Sequence, residues 1–147
     1  FNNCNGITSL DVSNFDTSQV TKMRYMFSHC SNLTSLNVSN WDVSKVTNMA
    51  YMFWSCSKLK TLDLSNWNIS NVTDFYTMFK DCSSLETLDL SNWHFSADVD
   101  VDIDAMLNGC TALKTITMKN CDSRTIGLIN MALRNAGLYG KVSIITE

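Results

Sequence analysis

A 26-residue internal repeat constrains the fold of this chain more than any other feature. Cysteines recur at this interval, with a last step of 28 residues, at Cys4, Cys30, Cys56, Cys82 and Cys110. An asparagine column has the same period and comprises Asn14, Asn40, Asn66 and Asn92. An aromatic residue follows each of these asparagines, namely Phe15, Trp41, Trp67 and Trp93. Such periodicity predicts a stack of similar units, because one short unit cannot bury its apolar face alone.

Each repeat unit divides into an extended segment and an apolar stripe. Residues 35–38 alternate polar and apolar side chains, which predicts a strand with Leu36 and Val38 facing inward. Residues 46–56 place apolar side chains at spacings of 3, 3, 1 and 3, which is typical of one face of a short helix. The predicted fold class is therefore α/β: a leucine-rich-repeat-like solenoid, with a parallel sheet on one face and short helices on the other.

We expect one domain with two parts. Residues 1–121 form the repeat solenoid, about four and a half units, and residues 122–147 form its C-terminal cap. In the cap, Ser123 is predicted to be a helix N-cap, Gly137 the residue after the helix, and residues 141–146 a final strand. Because the chain begins in mid-unit at Phe1 and lacks an initial methionine, we expect it to be part of a longer protein.

Composition and charge argue against several functional classes. The formal net charge is −3 and no cluster of lysine or arginine is present, which argues against nucleic-acid binding. The apolar runs are too short for insertion into a membrane. No phosphate-binding loop, nucleophile motif or metal-ligand spacing occurs, so we predict no enzyme and no cofactor. With no proline and five glycines, the turns must rely on Asn, Asp, Ser and Thr side chains that bond nearby backbone.

The cysteine, tryptophan and asparagine columns are interpreted as structural. The cysteines lie on the apolar stripe and are predicted to be reduced and buried. Disulfide bonding is the alternative, but helices stacked about 10 Å apart would be too distant for it. The tryptophans are predicted to fill the edge of the core, although an exposed row would offer a platform for sugars or an apolar partner. The asparagine amides are predicted to bond the backbone of neighbouring turns.

Outward-facing strand residues form the candidate ligand-binding surface. If Leu36 and Val38 face inward, their neighbours project onto the concave face of the sheet. The candidate residues on this strip are Asp11, Asn37, Asp63, Asp89, Thr61 and Thr87. Asp63 and Asp89 would lie about 5 Å apart on adjacent strands, which favours a cation or a basic partner. A solvated acidic strip without a ligand is the alternative interpretation.

An acidic run interrupts the periodicity near the fourth unit. Asp98, Asp100 and Asp102 alternate with other residues and could supply carboxylates to calcium, and Asp104 continues the pattern. The run lacks the glycine and the ligand spacing of a calcium-binding hand. Asp102 or Asp104 at a helix N-terminus is the alternative. No other metal site is predicted.

The segment LDLSNWNISNVT at residues 62–73, followed by Met78, Phe79, Cys82 and Leu85, resembles a known repeat family. This is the bacterial surface protein 26-residue repeat, also called the BspA-like leucine-rich repeat, and the resemblance covers residues 1–121. It implies a cell-surface or secreted protein that adheres to a protein or glycan partner on a host or neighbouring cell. It implies no catalytic residue. We expect the domain to be monomeric, and a structural spacer within a larger surface protein is the alternative function.

Overall fold

Parallel strands and one helix make up the regular structure of the chain. The computed structural model describes residues 1–147. The elements are β1 (Ser9–Leu10), β2 (Ser35–Leu36), β3 (Thr61–Asp63), β4 (Thr87–Asp89), β5 (Thr115–Thr117), α1 (Ser123–Asn135) and β6 (Ser143–Ile145). The prediction of an α/β fold with parallel strands is confirmed.

Successive strands pair in the register that the repeat length dictates. β1 and β2 form one parallel pair, and β3, β4, β5 and β6 form a second sheet in that order. Thr61 is paired with Thr87, which follows it by one repeat. Thr87 is paired in turn with Thr115 although the last unit is two residues longer. The loop between these strands therefore accommodates the insertion, and the strand register is kept.

The short helices predicted in each unit are absent, and this prediction is wrong. Within residues 46–56, the N–H of Tyr51 donates to Tyr76 O in the next unit at 2.9 Å. Tyr51 and Ser55 have φ angles of 60° and 59°, in the left-handed region that interrupts a right-handed helix. An α-helix requires each N–H to bond the carbonyl four residues earlier. Bonding to the neighbouring unit replaces that pattern here.

The apolar stripe nevertheless faces the core. Its fully buried members include Val46, Met49, Met52, Phe53 and Cys56. Tight turns, such as the one closed by Met52 N–H on Met49 O at 3.2 Å, bring every third or fourth side chain inward. Turns of this kind therefore reproduce the spacing of a helical stripe, which explains why the burial pattern was predictable and the backbone conformation was not.

A second series of backbone contacts joins the units at the start of this stripe. Parallel bridges connect Lys22 to Asn48, Asn48 to Asp74, and Asp74 to Asp102. Between these bridges and the strands lies the core, which includes a row of phenylalanine rings. The centroid of Phe53 lies 5.6 Å from that of Phe27 and 5.7 Å from that of Phe79. Each fully buried ring contributes roughly 1.5–3 kcal/mol by removing apolar surface from water.

The C-terminal segment supplies the final turn of the core. α1 begins one residue earlier than predicted: Asp122, not Ser123, is the N-cap, and its Oδ1 accepts the N–H of Thr125 at 2.7 Å. That hydrogen bond is the main cause that lowers the pKa of Asp122. Gly137 follows the helix with a φ of 68°, as predicted. β6 then pairs in parallel with β5, so the predicted final strand is confirmed.

Candidate interaction surfaces

The cysteine column forms hydrogen bonds between neighbouring units. Cys82 Sγ lies 3.0 Å from Phe53 O, and equivalent thiol–carbonyl contacts are made by Cys30, Cys56 and Cys110. Those four thiols are buried, Cys4 is half-buried, and all six cysteines of the chain are free. Burial raises the pKa of Cys56 and of Cys110 to about 12. These thiols are therefore neutral donors and poor nucleophiles at neutral pH.

The predicted spacing of about 10 Å between neighbouring thiols is wrong, because it assumed helices. Backbone hydrogen bonds join the units directly, and such bonding holds neighbouring chains about 4.8 Å apart. Disulfides use Cα separations of roughly 4.4–6.8 Å, so distance is not what keeps these residues reduced. In the structure, each column thiol after Cys4 is instead directed at a carbonyl of the preceding unit.

The tryptophan column is buried and also bonds the preceding unit. Trp41, Trp67 and Trp93 are at most 2% exposed. The indole N–H of Trp67 donates to Val38 O at 3.0 Å. Cys121, where the aromatic pattern ends, makes the corresponding contact through Sγ, 3.3 Å from Leu90 O. This column therefore offers no exposed platform, and the role of Cys121 could have been inferred from its place in the column.

The asparagine column lies at the surface and joins adjacent turns through its amides. Asn92 Nδ2 donates to Ser65 O at 3.1 Å. Asn40 and Asn66 make the equivalent contact with Ser13 O and Ser39 O. Asn14 lies in the first unit and is exposed. The column thus supplies hydrogen bonds between units at a corner where the chain leaves the strand.

The Asp and Asn side chains of the candidate strip on the strands accept hydrogen bonds that close turns. This strip is here called the strand face and comprises Asp11, Asn37, Asp63, Asp89, Thr61 and Thr87. Asp63 Oδ1 accepts the N–H of Ser65 at 3.0 Å and its hydroxyl at 2.7 Å. Asp11, Asn37 and Asp89 each accept the N–H two residues later in the same way. In the first unit, the hydroxyl and N–H of Ser13 lower the pKa of Asp11. These carboxylates therefore have a local structural role, which the Ser two residues after each of them could have signalled.

The strand face is otherwise uniform. Asp63 and Asp89 are paired residues on adjacent strands, and Thr61 and Thr87 are exposed beside them. A shallow depression lies over this part of the sheet and is lined by short polar side chains and two leucines. Comparable side-chain-to-backbone turns occur at two further corners, for example at Asp42 with Ser44. The prediction that Asn and Asp side chains make the turns of this chain is confirmed.

The acidic run is not gathered into a metal site. No group of three or more His, Cys, Asp or Glu side chains in the chain is arranged to hold a metal ion. Asp98, Asp100 and Asp102 are exposed, and Asp102 Oδ1 accepts the N–H of Asp104 at 2.9 Å. The alternative placement at a helix N-terminus is wrong, since no helix begins there. The geometry gives no support to the calcium candidate.

A second surface, which sequence reasoning missed, is built on the parallel bridges. We call it the bridge face and define it as the outward side chains of residues 22–29, 48–55, 74–81 and 102–109. Tyr25 and Tyr51 stack with ring centroids 4.5 Å apart, and Tyr51 meets Tyr76 edge-on at 5.3 Å. Trp54 lies 5.6 Å from Tyr51, and its Nε1 donates to Asp81 Oδ2 at 3.3 Å. This places four partly exposed aromatic side chains side by side.

A cation adjoins this aromatic cluster. The Arg24 guanidinium carbon lies 4.9 Å from the ring centroid of Tyr25 and 5.3 Å from that of Tyr51. Partial desolvation and the neighbouring Tyr25 and Tyr76 raise the pKa of Tyr51. Cation–π contacts at exposed sites contribute about 0.5–1 kcal/mol, so they restrain the arginine in place.

The charges of the bridge face change sign along the stack. Lys22 and Arg24 are exposed in the first bridged unit, and Asp102 and Asp104 occupy the equivalent positions in the last. The two ion pairs of the chain are His94 with Asp122 and Lys114 with Glu86. Lys22, Arg24, Asp102 and Asp104 are therefore without an ion-pair partner. A signal for this arrangement was present in the sequence, because these positions break the repeat.

Comparison with known proteins identifies a repeat family. A family model described as "Mycoplasma protein of unknown function, DUF285" matches residues 1–120, a range that ends at Asn120 where the repeat columns end. Searches of curated proteins and of solved structures each found no match. The one helix of the structure, α1, lacks the length and apolar character needed to cross a membrane.

Proposed function

Because the chain belongs to the DUF285 family over residues 1–120, we propose that it is a non-catalytic interaction module of a cell-surface or secreted protein. In this proposal it binds a macromolecule on a host or neighbouring cell. The finer architecture we propose is a BspA-like leucine-rich solenoid. Strand pairing between equivalent residues one repeat apart, such as Ser9 with Ser35, supports that architecture.

One observation carries the proposal: the aromatic cluster of the bridge face departs from the repeat. Tyr51 has a counterpart in Tyr25 but corresponds to Thr77 in the next unit. Trp54 corresponds to Lys80. The buried columns account for the stability of the stack, so it does not require these exposed aromatic residues. Tyr, Trp and Arg are the residue types enriched at the energetic centres of protein interfaces. This composition favours a protein partner.

The chemistry of the titratable groups supports a non-catalytic role. Each fully buried thiol bonds a carbonyl, and burial raises the pKa of Cys82 well above its usual value. His94 contacts the carboxylate of Asp122 at 2.9 Å, where that residue caps α1. These groups are engaged in structural contacts and do not converge on a common site.

A structural spacer is the second candidate function, and the strand face favours it. Its carboxylates close turns, and its exposed residues are nearly the same in successive units. A spacer would need only the columns that hold the units together. The two candidates therefore differ in whether the bridge face binds anything.

Binding measurements with two surface variants test the proposal. The immobilised wild-type chain, a bridge-face variant (Tyr51→Ser/Trp54→Ser) and a strand-face variant (Asp63→Asn/Asp89→Asn) are presented with host matrix proteins, mucin and the wild-type chain. Asparagine keeps the turn-closing oxygen, as Asn37 does in the second unit. Loss of binding only in the bridge-face variant supports the proposal. Equal binding by all three forms contradicts the assignment to this face, and no binding by the wild type favours the spacer.

A further inference from the structure

We infer that the bridge face binds a second copy of this chain in antiparallel orientation, so that the positive end of each copy meets the negative end of the other. This inference rests on the proposed function, since it names the partner of the proposed surface. It replaces the sequence-based expectation of a monomeric domain. It follows from the order of charges along the bridges and from the position of the aromatic cluster between them.

The bridges place one outward position per unit in a straight row. That row reads Lys22, Asn48, Asp74 and Asp102. The residues two positions further along occupy a parallel row, because alternate residues of an extended segment project to the same side. The second row begins with Arg24 and ends with Asp104, and Met23 and Ile103 between the rows are buried. Two cations therefore stand at one end of the face and two carboxylates at the other.

This order is self-complementary under a two-fold rotation. The axis lies in the interface, perpendicular to the direction of stacking, and passes between Asn48 and Asp74. Rotation about it reverses the order of the units in the second copy. Each row of one copy then faces the same row of the other. Lys22 of one copy then faces Asp102 of the other, and Arg24 faces Asp104. The operation generates each contact twice, as an isologous dimer requires. The parallel arrangement would instead place like charges against each other at both ends.

The aromatic cluster lies where such an interface needs its apolar centre. Tyr51 and Tyr76 belong to the two middle units and flank the proposed axis. Tyr76 is 37% exposed, and Trp54 is half-buried next to Tyr51. An aromatic centre surrounded by charged residues matches the usual anatomy of protein interfaces. The charges at the rim determine orientation, and the rings supply the apolar area.

The expected association is weak and salt-dependent. The face spans only four units of about 4.8 Å each, so the area that it buries falls in the class of transient interfaces. The charged pairs lie at the rim, where salt screens them over about 8–10 Å at physiological concentrations. A weak contact of this kind gains strength when many copies are displayed on a surface. Antiparallel pairing also suits contact between molecules on two facing cells.

Charge-swap complementation tests the inference. Sedimentation velocity of the whole 147-residue chain is measured from about 10 to about 500 μM, a range suited to weak association. We expect concentration-dependent dimerisation of the wild type that weakens as salt increases. Arg24→Glu and Asp104→Arg should each weaken it at least about tenfold, because each places like charges together. An equimolar mixture of the two variants should restore association, since the Glu of one then faces the Arg of the other.

A double variant guards against effects on folding. Arg24→Glu/Asp104→Arg should dimerise with itself as the wild type does, and thermal melts verify that each variant is folded. A monomeric wild type over the whole range, or single variants that dimerise as strongly as the wild type, would overturn the inference. Failure of the mixture and of the double variant to associate would also overturn it. If the wild type is monomeric but Tyr51→Ser/Trp54→Ser abolishes binding to a matrix protein or mucin, the proposed function stands and only the self-pairing fails.

Discussion

The repeat columns and the bridge face contain the same residue types and use them in opposite ways. Trp67 is 1% exposed, and its indole N–H bonds a carbonyl of the preceding unit. Trp54 is half-buried, and its indole N–H bonds the exposed carboxylate of Asp81. A column tryptophan recurs in three units, whereas Trp54 occurs once in its column. In this protein, periodicity marks residues that hold units together, and exposed residues that interrupt it mark the proposed binding surface.

The largest expected effect compares the two tryptophans directly. Trp67→Ala should lower the free energy of unfolding by about 3–5 kcal/mol, because it leaves a cavity in the core. It also leaves Val38 O without its indole partner. Trp54→Ala should cost less than about 1.5 kcal/mol, since that side chain is only partly buried. Urea unfolding followed by far-UV circular dichroism measures both. Equal losses of unfolding free energy would show that Trp54 stabilises the fold as much as Trp67 does, which would contradict the distinction.

The second prediction concerns protons in the cysteine column. The folded-state pKa of Cys82 is raised, so the unfolded chain releases its proton first and stability falls as pH rises above about 9. Cys82→Ser keeps a donor for Phe53 O but does not titrate in this range. The variant should therefore lose about 1.4 kcal/mol less per pH unit than the wild type. Urea unfolding at intervals between about pH 8 and about pH 11 measures the slopes, and identical slopes would contradict buried neutral thiols.

Thiol titration sharpens the same comparison. Denatured protein without reductant should react at all six cysteines, because all are free. The native protein should react slowly at the buried thiols, since only the thiolate is nucleophilic. Fewer than about four reactive thiols in the denatured chain would indicate disulfides in the column.

A smaller effect distinguishes two aspartates. Asp63→Ala should destabilise the fold by about 1 kcal/mol, because the Ser65 N–H loses its acceptor. Asp63→Asn should retain most of the stability, as the amide oxygen can replace the carboxylate oxygen. Asp104→Ala, at the acidic end of the bridge face, should change stability by less than about 0.5 kcal/mol. Thermal melts of the three variants rank them, and a larger loss for Asp104→Ala would reverse the assigned roles.

The smallest expected effect concerns calcium. Asp98, Asp100 and Asp102 are not gathered around a common point, so millimolar calcium should leave the melting temperature unchanged. Differential scanning fluorimetry with calcium and then EDTA measures this. A calcium-dependent increase that EDTA reverses, and that Asp100→Asn removes, would show that the acidic run can form a site.

Side-chain burial was predictable from sequence because it repeats with every unit. The alternation of polar and apolar residues around Leu62 and Leu64 identifies the inward side of β3. Both side chains are buried, with 3% and 0% of their surface exposed. The repeat length likewise gives the pairing of Thr61 with Thr87. Within one unit, however, the spacing of Met49, Met52 and Phe53 is the same for a helix and for a series of turns. The turns form instead of a helix because the neighbouring unit accepts hydrogen bonds from this segment. The sequence of a single unit does not reveal those bonds.

The candidate site was less predictable for a related reason. Tyr51, Trp54 and Tyr76 occupy different positions of the repeat, so no single column brings them together in sequence. They become neighbours only through the stacking of units and the left-handed turn at Tyr51. The strand-face carboxylates, in contrast, are conspicuous in the sequence because they recur with the repeat. Their regular spacing suggested a ligand, whereas each one bonds a backbone N–H two residues away.

The backbone hydrogen bonds between neighbouring units also determine how the chain responds to mechanical force. Thr34 N–H bonds Thr8 O, and Thr73 N–H bonds Thr47 O, so each bond connects only adjacent units. Tension between the two ends therefore loads an outermost unit first, and that unit can detach while the others keep their bonds. Its 26 residues, extending by about 3.4 Å each, would lengthen the chain by about 90 Å. A protein anchored at both ends would thus yield unit by unit and absorb a sudden pull without unfolding completely.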